Sequence, residues 1–348
     1  MSTPARYRLF GSVGSPYALK LRSLLRFRRI PFDWVPASLD WIPEGLEHEA
    51  LCAAASSEIK GVKPPVVPVL WFPEDGAYKN DSTPVAYELE RRHAERPAVP
   101  PDPALALCSH LIEDMADEWG VKIAFLYRWG HEEDAAYKSR IVTGELVGAS
   151  HARSALASCA KHFAARQQSR MPLVGANLEN RALIDASFRL ILEAFDKLPG
   201  SSTFLFGEQP TLADFGWYGE LSSLATDPTP WRVMREAAPS VFAWLQLMED
   251  ASGIPASPAK ETPAARALLA VAGKVYLPFL AANAKAIESG RERFTLEALG
   301  HKHEQGVFRY QHKCLRWLRE EFAGLGADER ARAERLLGPA GCLEALRS

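Results

Sequence analysis

The stretch GSVGSPYALKLRSLL, residues 11–25, decides how the first part of this chain is read. RYRLF (6–10) before it has the character of a strand. Gly11 and Gly14 break that strand, and a helix-period run follows from Tyr17 to Arg28. Ser15 stands at the first turn of that helix, where its hydroxyl adds one donor for a bound sulfur. A dithiol redox loop would carry cysteines at 15 and 18, but the sequence has Ser15 and Ala18. A helix N-terminus presents unpaired N–H groups and partial positive charge, so it suits an anion and lowers a thiol pKa from its usual value of about 8.5. With Ser15 in place of cysteine, the loop can stabilise a thiolate without supplying one. The sulfur would then belong to a cosubstrate.

Working outward, PFDWVPA (31–37) predicts a second strand, followed by a helical segment over about 44–58 and the Pro-rich KGVKPPVVP. VVPVLWF predicts a third strand, GAYK a short return strand and DSTPVAYELERRH a helix. The order is βαβ followed by ββα, an α/β unit. AERPAVPPDP (94–103) is the linker candidate. Beyond it the sequence reads as helix over about 104–129, 150–169, 180–198, 211–225 and 239–251. A helical tail from about 259 contains KVYLPFLAANAKAI and FRYQHKCLRWLREEF.

Bulk properties narrow the classes. The 348 residues exceed one average domain, and 47% hydrophobic with 24% charged residues is a globular composition. A net charge of −2 gives no field favouring nucleic acid or a membrane surface, and neither is expected as a partner. The apolar stretch ALLAVAGKVYLPFLAANA is interrupted by Lys274 and Pro278 and predicts no membrane span. Five scattered cysteines without a CxxC pair predict a reducing cytoplasmic setting and no disulfide framework.

Three segments in order resemble the glutathione S-transferase family: SPYALKLR, then VVPVLWF…NDSTPVAYELERR, then FLFGEQPTLADFGWYGEL. The resemblance spans about residues 5–252. It implies a thioredoxin-like glutathione-binding domain (1–93), an all-helical domain (103–252) and a helical C-terminal extension (253–348) that exceeds the usual family length. It also implies a homodimer that conjugates glutathione, as cosubstrate, to a small electrophile, with no metal. A protein that keeps the fold for binding or scaffolding without turnover is the alternative. By this resemblance Ser15 activates the thiol, with Ser12 in the same loop as its rival and Tyr17 shaping the loop. Pro68 matches a cis-proline that turns the Val67 backbone toward the cysteinyl part of glutathione. Asp81 and Ser82 match the pair that takes the γ-glutamyl amine and carboxylate. A Val-Pro in a strand also serves as an edge device, and Asp-Ser before a helix is also a common cap.

Other residues carry secondary expectations. Lys20, Arg22, Arg26, Arg28 and Arg29 predict a solvated helix face. Thr211 and Asp214 predict a capping box. One face of helix 104–129 combines Leu107, Leu111, Asp114, Glu118, Lys122, Phe125 and Trp129. From it Asp114, Glu118, Phe125 and Trp129 are candidates for the acceptor pocket, while Glu118 and Lys122 at i,i+4 would equally make an ion pair. His301, His303, His312 and Cys314 fit no standard zinc spacing. Gln311 lies on the apolar face of its predicted helix and needs a buried partner, which suggests that this helix docks on the helical domain.

Overall fold

A computed structural model describes residues 6–347, except 40, 42–44, 47 and 149. The chain begins with β1 (Tyr7–Gly11), α1 (Pro16–Phe27) and β2 (Phe32–Pro36), and β1 and β2 pair in parallel. Then come α2 (Ala53–Glu58), β3 (Val69–Trp71), β4 (Tyr78–Asn80) and α3 (Ser82–Arg92). The sheet order is β2-β1-β3-β4. β1–β3 and β3–β4 are antiparallel, with Phe10 opposite Val69. The expected helix over 44–58 shortens to α2, and part of that span lies outside the described residues.

After the irregular segment 93–102, α4 (Pro103–Met115) starts from Asp102, whose carboxylate accepts from the Ala104 and Leu105 N–H groups at 2.9 and 3.3 Å. A π turn (Ala116–Gly120) comes next, then α5 (Val121–Gly130), α6 (Glu132–Val147) and α7 (Arg153–Arg170). A 3₁₀ turn (Leu178–Asn180) leads into α8 (Arg181–Phe195), α9 (Leu212–Leu224), α10 (Pro228–Ala237) and α11 (Val241–Glu249). Thr211 and Asp214 form the capping box of α9, with the Thr211 N–H donating to Asp214 at 2.9 Å. Neither α6 nor α10 is predicted by the sequence. The alternation in α6 is weak, because charged Asp134 and Lys138 lie on its buried side.

The extension contains α12 (Pro263–Val271), a second π turn (Ala272–Tyr276), α13 (Leu277–Glu288), a hairpin of β5 (Arg293–Ala298) and β6 (His301–Gly306), α14 (Arg309–Gly324), α15 (Ala327–Leu337) and α16 (Leu343–Arg347). The hairpin adds two strands to a tail expected to be helical throughout. From Pro263 to Glu288 the helix runs on through Lys274 and Pro278, longer than the sequence suggests. It is long and apolar enough to cross a membrane by composition, but Leu268, Leu269, Val275, Leu277, Phe279 and Leu280 are all in the protein core.

One apolar core runs from Tyr7 in β1 to Leu346 in α16, so the extension shares it with the rest of the chain. α1 packs on α9 where Gly219 faces Pro16. A Cβ at 219 would sit 2.4 Å from the Pro16 carbonyl oxygen, so glycine is what lets the start of α1 approach this closely.

Candidate functional site

The start of α1 lies in a loop that the rest of the molecule holds tightly. Ser15 caps α1, its Oγ accepting from the Ala18 N–H at 3.3 Å. Accepting that bond leaves the Ser15 hydroxyl proton free to donate. Ser12 is differently placed. Its Oγ donates to Glu145 on α6 at 2.7 Å, and the Val13 N–H donates to the same carboxylate oxygen at 2.8 Å. The Trp34 indole donates to the other Glu145 oxygen at 3.3 Å. The Gly14 carbonyl accepts from Arg128 on α5 at 3.2 Å, and Arg128 is itself paired with Asp227 at 2.7 Å. Tyr17 donates to the Asp117 carbonyl at 2.9 Å, which ties the loop to the π turn.

A cavity of about 600 Å³ opens beside this loop. One wall consists of Ser12, Ser15, Tyr17, Val67, Pro68, Asp81 and Ser82, so seven of the sequence-predicted residues converge on it. The Val67–Pro68 peptide is cis. The facing wall carries Glu118, Phe125 and Trp129, and the extension contributes Phe308 and Tyr310. Asp114 departs from this picture and does not line the cavity. A π turn adds a residue to the helical repeat, which rotates the positions after it by on the order of 100° relative to a continuous α-helix. Beyond the start of the turn the cavity-facing positions are Asp117, Glu118, Val121, Ala124, Phe125, Arg128 and Trp129. Asp114 lies before it and accepts instead from the Tyr276 hydroxyl of the extension at 2.6 Å. Burial lifts the Asp114 carboxyl to about 6.

The Glu118–Lys122 ion pair does not form. Lys122 donates to the Val174 carbonyl at 2.7 Å and to Gln305 of β6 at 2.8 Å. Burial lowers its amine to about 7. Glu118 faces Gln311, the buried amide of α14. Burial, with the nearby Asp114 charge, lifts the Glu118 carboxyl to about 8.

Lys20 overturns the expectation of a solvated face. It is fully buried, because α9 packs on α1 while Glu113 of α4 and Asp117 of the π turn reach its ammonium, on the side that would face solvent in an isolated α/β unit. Its ammonium bonds Glu113, Asp117 at 2.6 Å, Thr83 at 3.1 Å and Ser82 at 3.3 Å. Burial works against its charge, but Asp117 and Glu113 more than compensate and hold the amine protonated. Arg28 is buried as well, against Glu90. Ser82 is 4% exposed, and its hydroxyl donates to Asp117 at 3.2 Å. Asp81 has φ 71° and accepts from Tyr310 at 2.8 Å, so the extension reaches the start of α3. Burial raises the Asp81 carboxyl above its ordinary value.

Tyr7 in β1 lies away from the cavity and donates to Glu74 at 2.5 Å. Sequence reasoning missed Glu145, Arg128 and Tyr310 as cavity or loop residues. Each acts across more than a hundred positions, and no local pattern marks such a contact.

Residues 14–92 match the family model of the glutathione S-transferase N-terminal domain. No curated protein matches the chain. Among solved structures it is similar to a glutathione S-transferase from Methylobacterium radiotolerans in complex with glutathione sulfonate, at 18% identity and TM-score 0.43 over 73% of this chain and 96% of that one. It is also similar to glutathione transferase GSTFuA3 from Phanerochaete chrysosporium, at 15% identity and TM-score 0.47 over 73% of this chain and 100% of that one. The β-etherase LigF from Sphingobium sp. aligns at 18% identity and TM-score 0.46 over 70% of this chain and 94% of that one. Residues 14–92, with their cis-proline and serine-capped first helix, are thus the part of the chain that is similar to the glutathione S-transferase N-terminal domain.

Proposed function

We propose that the protein is a glutathione transferase whose cavity holds glutathione against the α1–α3 wall and a small apolar electrophile against the α5 wall. The observation that carries this reading is the meeting, in one cavity, of the free Ser15 hydroxyl proton at a helix start with the aromatic surface of Phe125 and Trp129. In the proposed complex Ser15 donates to the glutathione sulfur, and the N-terminus of α1 favours its thiolate. Val67 pairs with the cysteinyl backbone, and Asp81 and Ser82 take the γ-glutamyl end. Rate enhancement comes from presenting a deprotonated sulfur beside a bound acceptor. A homodimer goes with this reading, and light scattering at twice 38.4 kDa checks it.

Calorimetry with glutathione, followed by turnover of 1-chloro-2,4-dinitrobenzene, tests the proposal. Binding and turnover are expected, and Ser82→Ala is expected to weaken binding by about 1–3 kcal/mol, the cost of losing a bond to a charged group. Undetectable binding by the wild type would remove the reading. Binding without turnover would favour a second one, a glutathione-fold binding protein. That alternative is supported by Asp81 and Ser82 being already engaged, by Tyr310 and by Lys20 and Asp117.

A further inference from the structure

We propose that Glu118 is a catalytic proton donor in the acceptor half of the cavity, acting when the bound acceptor is an α,β-unsaturated carbonyl compound. This rests on the glutathione-transferase reading above.

Glu118 lines the cavity, yet its side chain is nine-tenths buried, with 9% of the residue exposed. It belongs to the π turn, and Asp117, Val121 and Phe125 near it line the same cavity. The cations buried around it are committed elsewhere. Lys20 serves Glu113 and Asp117, Arg128 serves Asp227, and Lys122 serves Val174 and Gln305. The groups facing Glu118 are otherwise acidic or neutral: Asp114 and Asp117 on its own helix, Glu220 on α9, Tyr17 on α1, Tyr276 on the second π turn, and Tyr310, Gln311 and Cys314 on α14. A carboxyl in a dry, acid-rich wall keeps its proton near neutral pH, consistent with its rise to about 8.

A neutral carboxylic acid beside an apolar acceptor pocket suits a reaction that develops negative charge on oxygen. The glutathione sulfur forms a bond to the β-carbon. The alkene π pair shifts, and the carbonyl oxygen becomes an enolate. The Glu118 proton passes to that oxygen, and the enol relaxes to the carbonyl product. Glu118 is left as a carboxylate and recovers a proton from solvent, replacing the one that glutathione released on becoming a thiolate. Aromatic substitution with loss of chloride needs no such proton, so it provides the internal standard.

The experiment measures kcat/KM of the full chain with glutathione for 4-phenylbut-3-en-2-one and for 1-chloro-2,4-dinitrobenzene, from pH 6 to 9.5. The readout is the ratio of the two. In the wild type the enone-to-arene ratio is expected to fall above about pH 8 as Glu118 loses its proton. In Glu118→Gln the ratio at pH 7 is expected to fall by on the order of 100-fold and to lose its pH dependence. Glu118→Asp, which keeps an acid, is expected to recover part of it. An unchanged ratio in Glu118→Gln, or a wild-type ratio flat across pH 8, overturns the proposal while leaving glutathione binding and arene turnover intact as support for the parent reading. Absence of glutathione binding by the wild type in calorimetry overturns both.

Discussion

The two walls of the cavity hold their polar groups by different means. On the loop side, Ser15 is satisfied three residues away by Ala18 N–H, and the Gly14 N–H donates to Ser12 two residues away at 3.1 Å. Glu145 and Arg128 reach in from elsewhere to steady it. On the opposite side, the helix through the first π turn brings Asp117 and Glu118 to the wall and buries Glu113 and Asp114 behind it, and α9 adds Glu220, whose two carboxylate oxygens have no hydrogen-bond partner among the described residues. The partners of that wall are remote: Lys20 is 97 residues from Asp117, and Tyr276 is 162 from Asp114. The loop side is therefore a local structure that the fold steadies. The acidic side is a cluster of buried carboxyls that becomes tolerable only when α1 and the extension are both in place, since a buried polar or charged group without partners is costly.

The comparison breaks most visibly if the extension is removed. A chain ending at residue 252 would lose the apolar residues from Ala264 to Leu346 and leave Asp114 and Lys122 without Tyr276 and Gln305. It is expected to show no cooperative thermal unfolding by circular dichroism. A sharp transition in that variant would mean that the acidic wall does not depend on the tail.

Lys20→Met tests the other support of the same wall. It leaves Glu113 and Asp117 buried beside an uncharged chain, and a loss of about 3–5 kcal/mol is expected in urea unfolding at pH 7. A loss below about 1 kcal/mol would show that the two acids are accommodated without it.

The acid cluster also fixes a pH trend. Burial raises Asp114 to about 6 and Glu118 to about 8, above their values in an unfolded chain. A raised carboxyl favours the folded state while protonated. That contribution is present at about pH 4 and is lost as pH climbs through 6 and then 8. The melting temperature is expected to fall from about pH 5 to about pH 7, above which the lowered amine of Lys122 opposes the fall, and the fall should be shallower in Glu118→Gln. Parallel curves for the two proteins would remove Glu118 as a source.

On the loop wall the effects are smaller. Ser15→Ala removes the cap of α1, at about 1 kcal/mol of stability. It is also expected to raise the pKa of bound glutathione while its affinity changes little. Thiolate absorbance against pH checks this, and superimposable titrations would shift the thiol-activating role to Ser12 or a backbone N–H. The smallest change expected is Tyr310→Phe. It removes one hydrogen bond to Asp81, about 1 kcal/mol of stability, and frees that carboxylate to take the γ-glutamyl amine. Glutathione affinity should rise by a few-fold in calorimetry, and a loss of affinity would mean that Tyr310 helps to hold the ligand.

The sequence by itself determined the elements that rest on short-range rules. Gly11 and Gly14 end β1, Ser15 and Pro16 begin α1, Thr211 caps α9, and Pro68 and Asp81-Ser82 bound β3 and α3. These features depend on backbone torsions and on side chains bonding N–H groups a few positions away, so the local residues suffice. Tertiary structure decided the rest of the site. Whether Lys20 faced water or a carboxylate depended on α9 packing on α1 and on α4 bringing Glu113 to it. Whether Asp114 or Glu118 faced the cavity depended on a π turn that a regular helical wheel, at about 100° per residue, does not contain. Whether Asp81 met solvent or a tyrosine depended on a helix 229 residues away. Periodicity records which face of a helix is apolar, but a buried charge is placed by the partner that neutralises it, and only the packed chain brings that partner near.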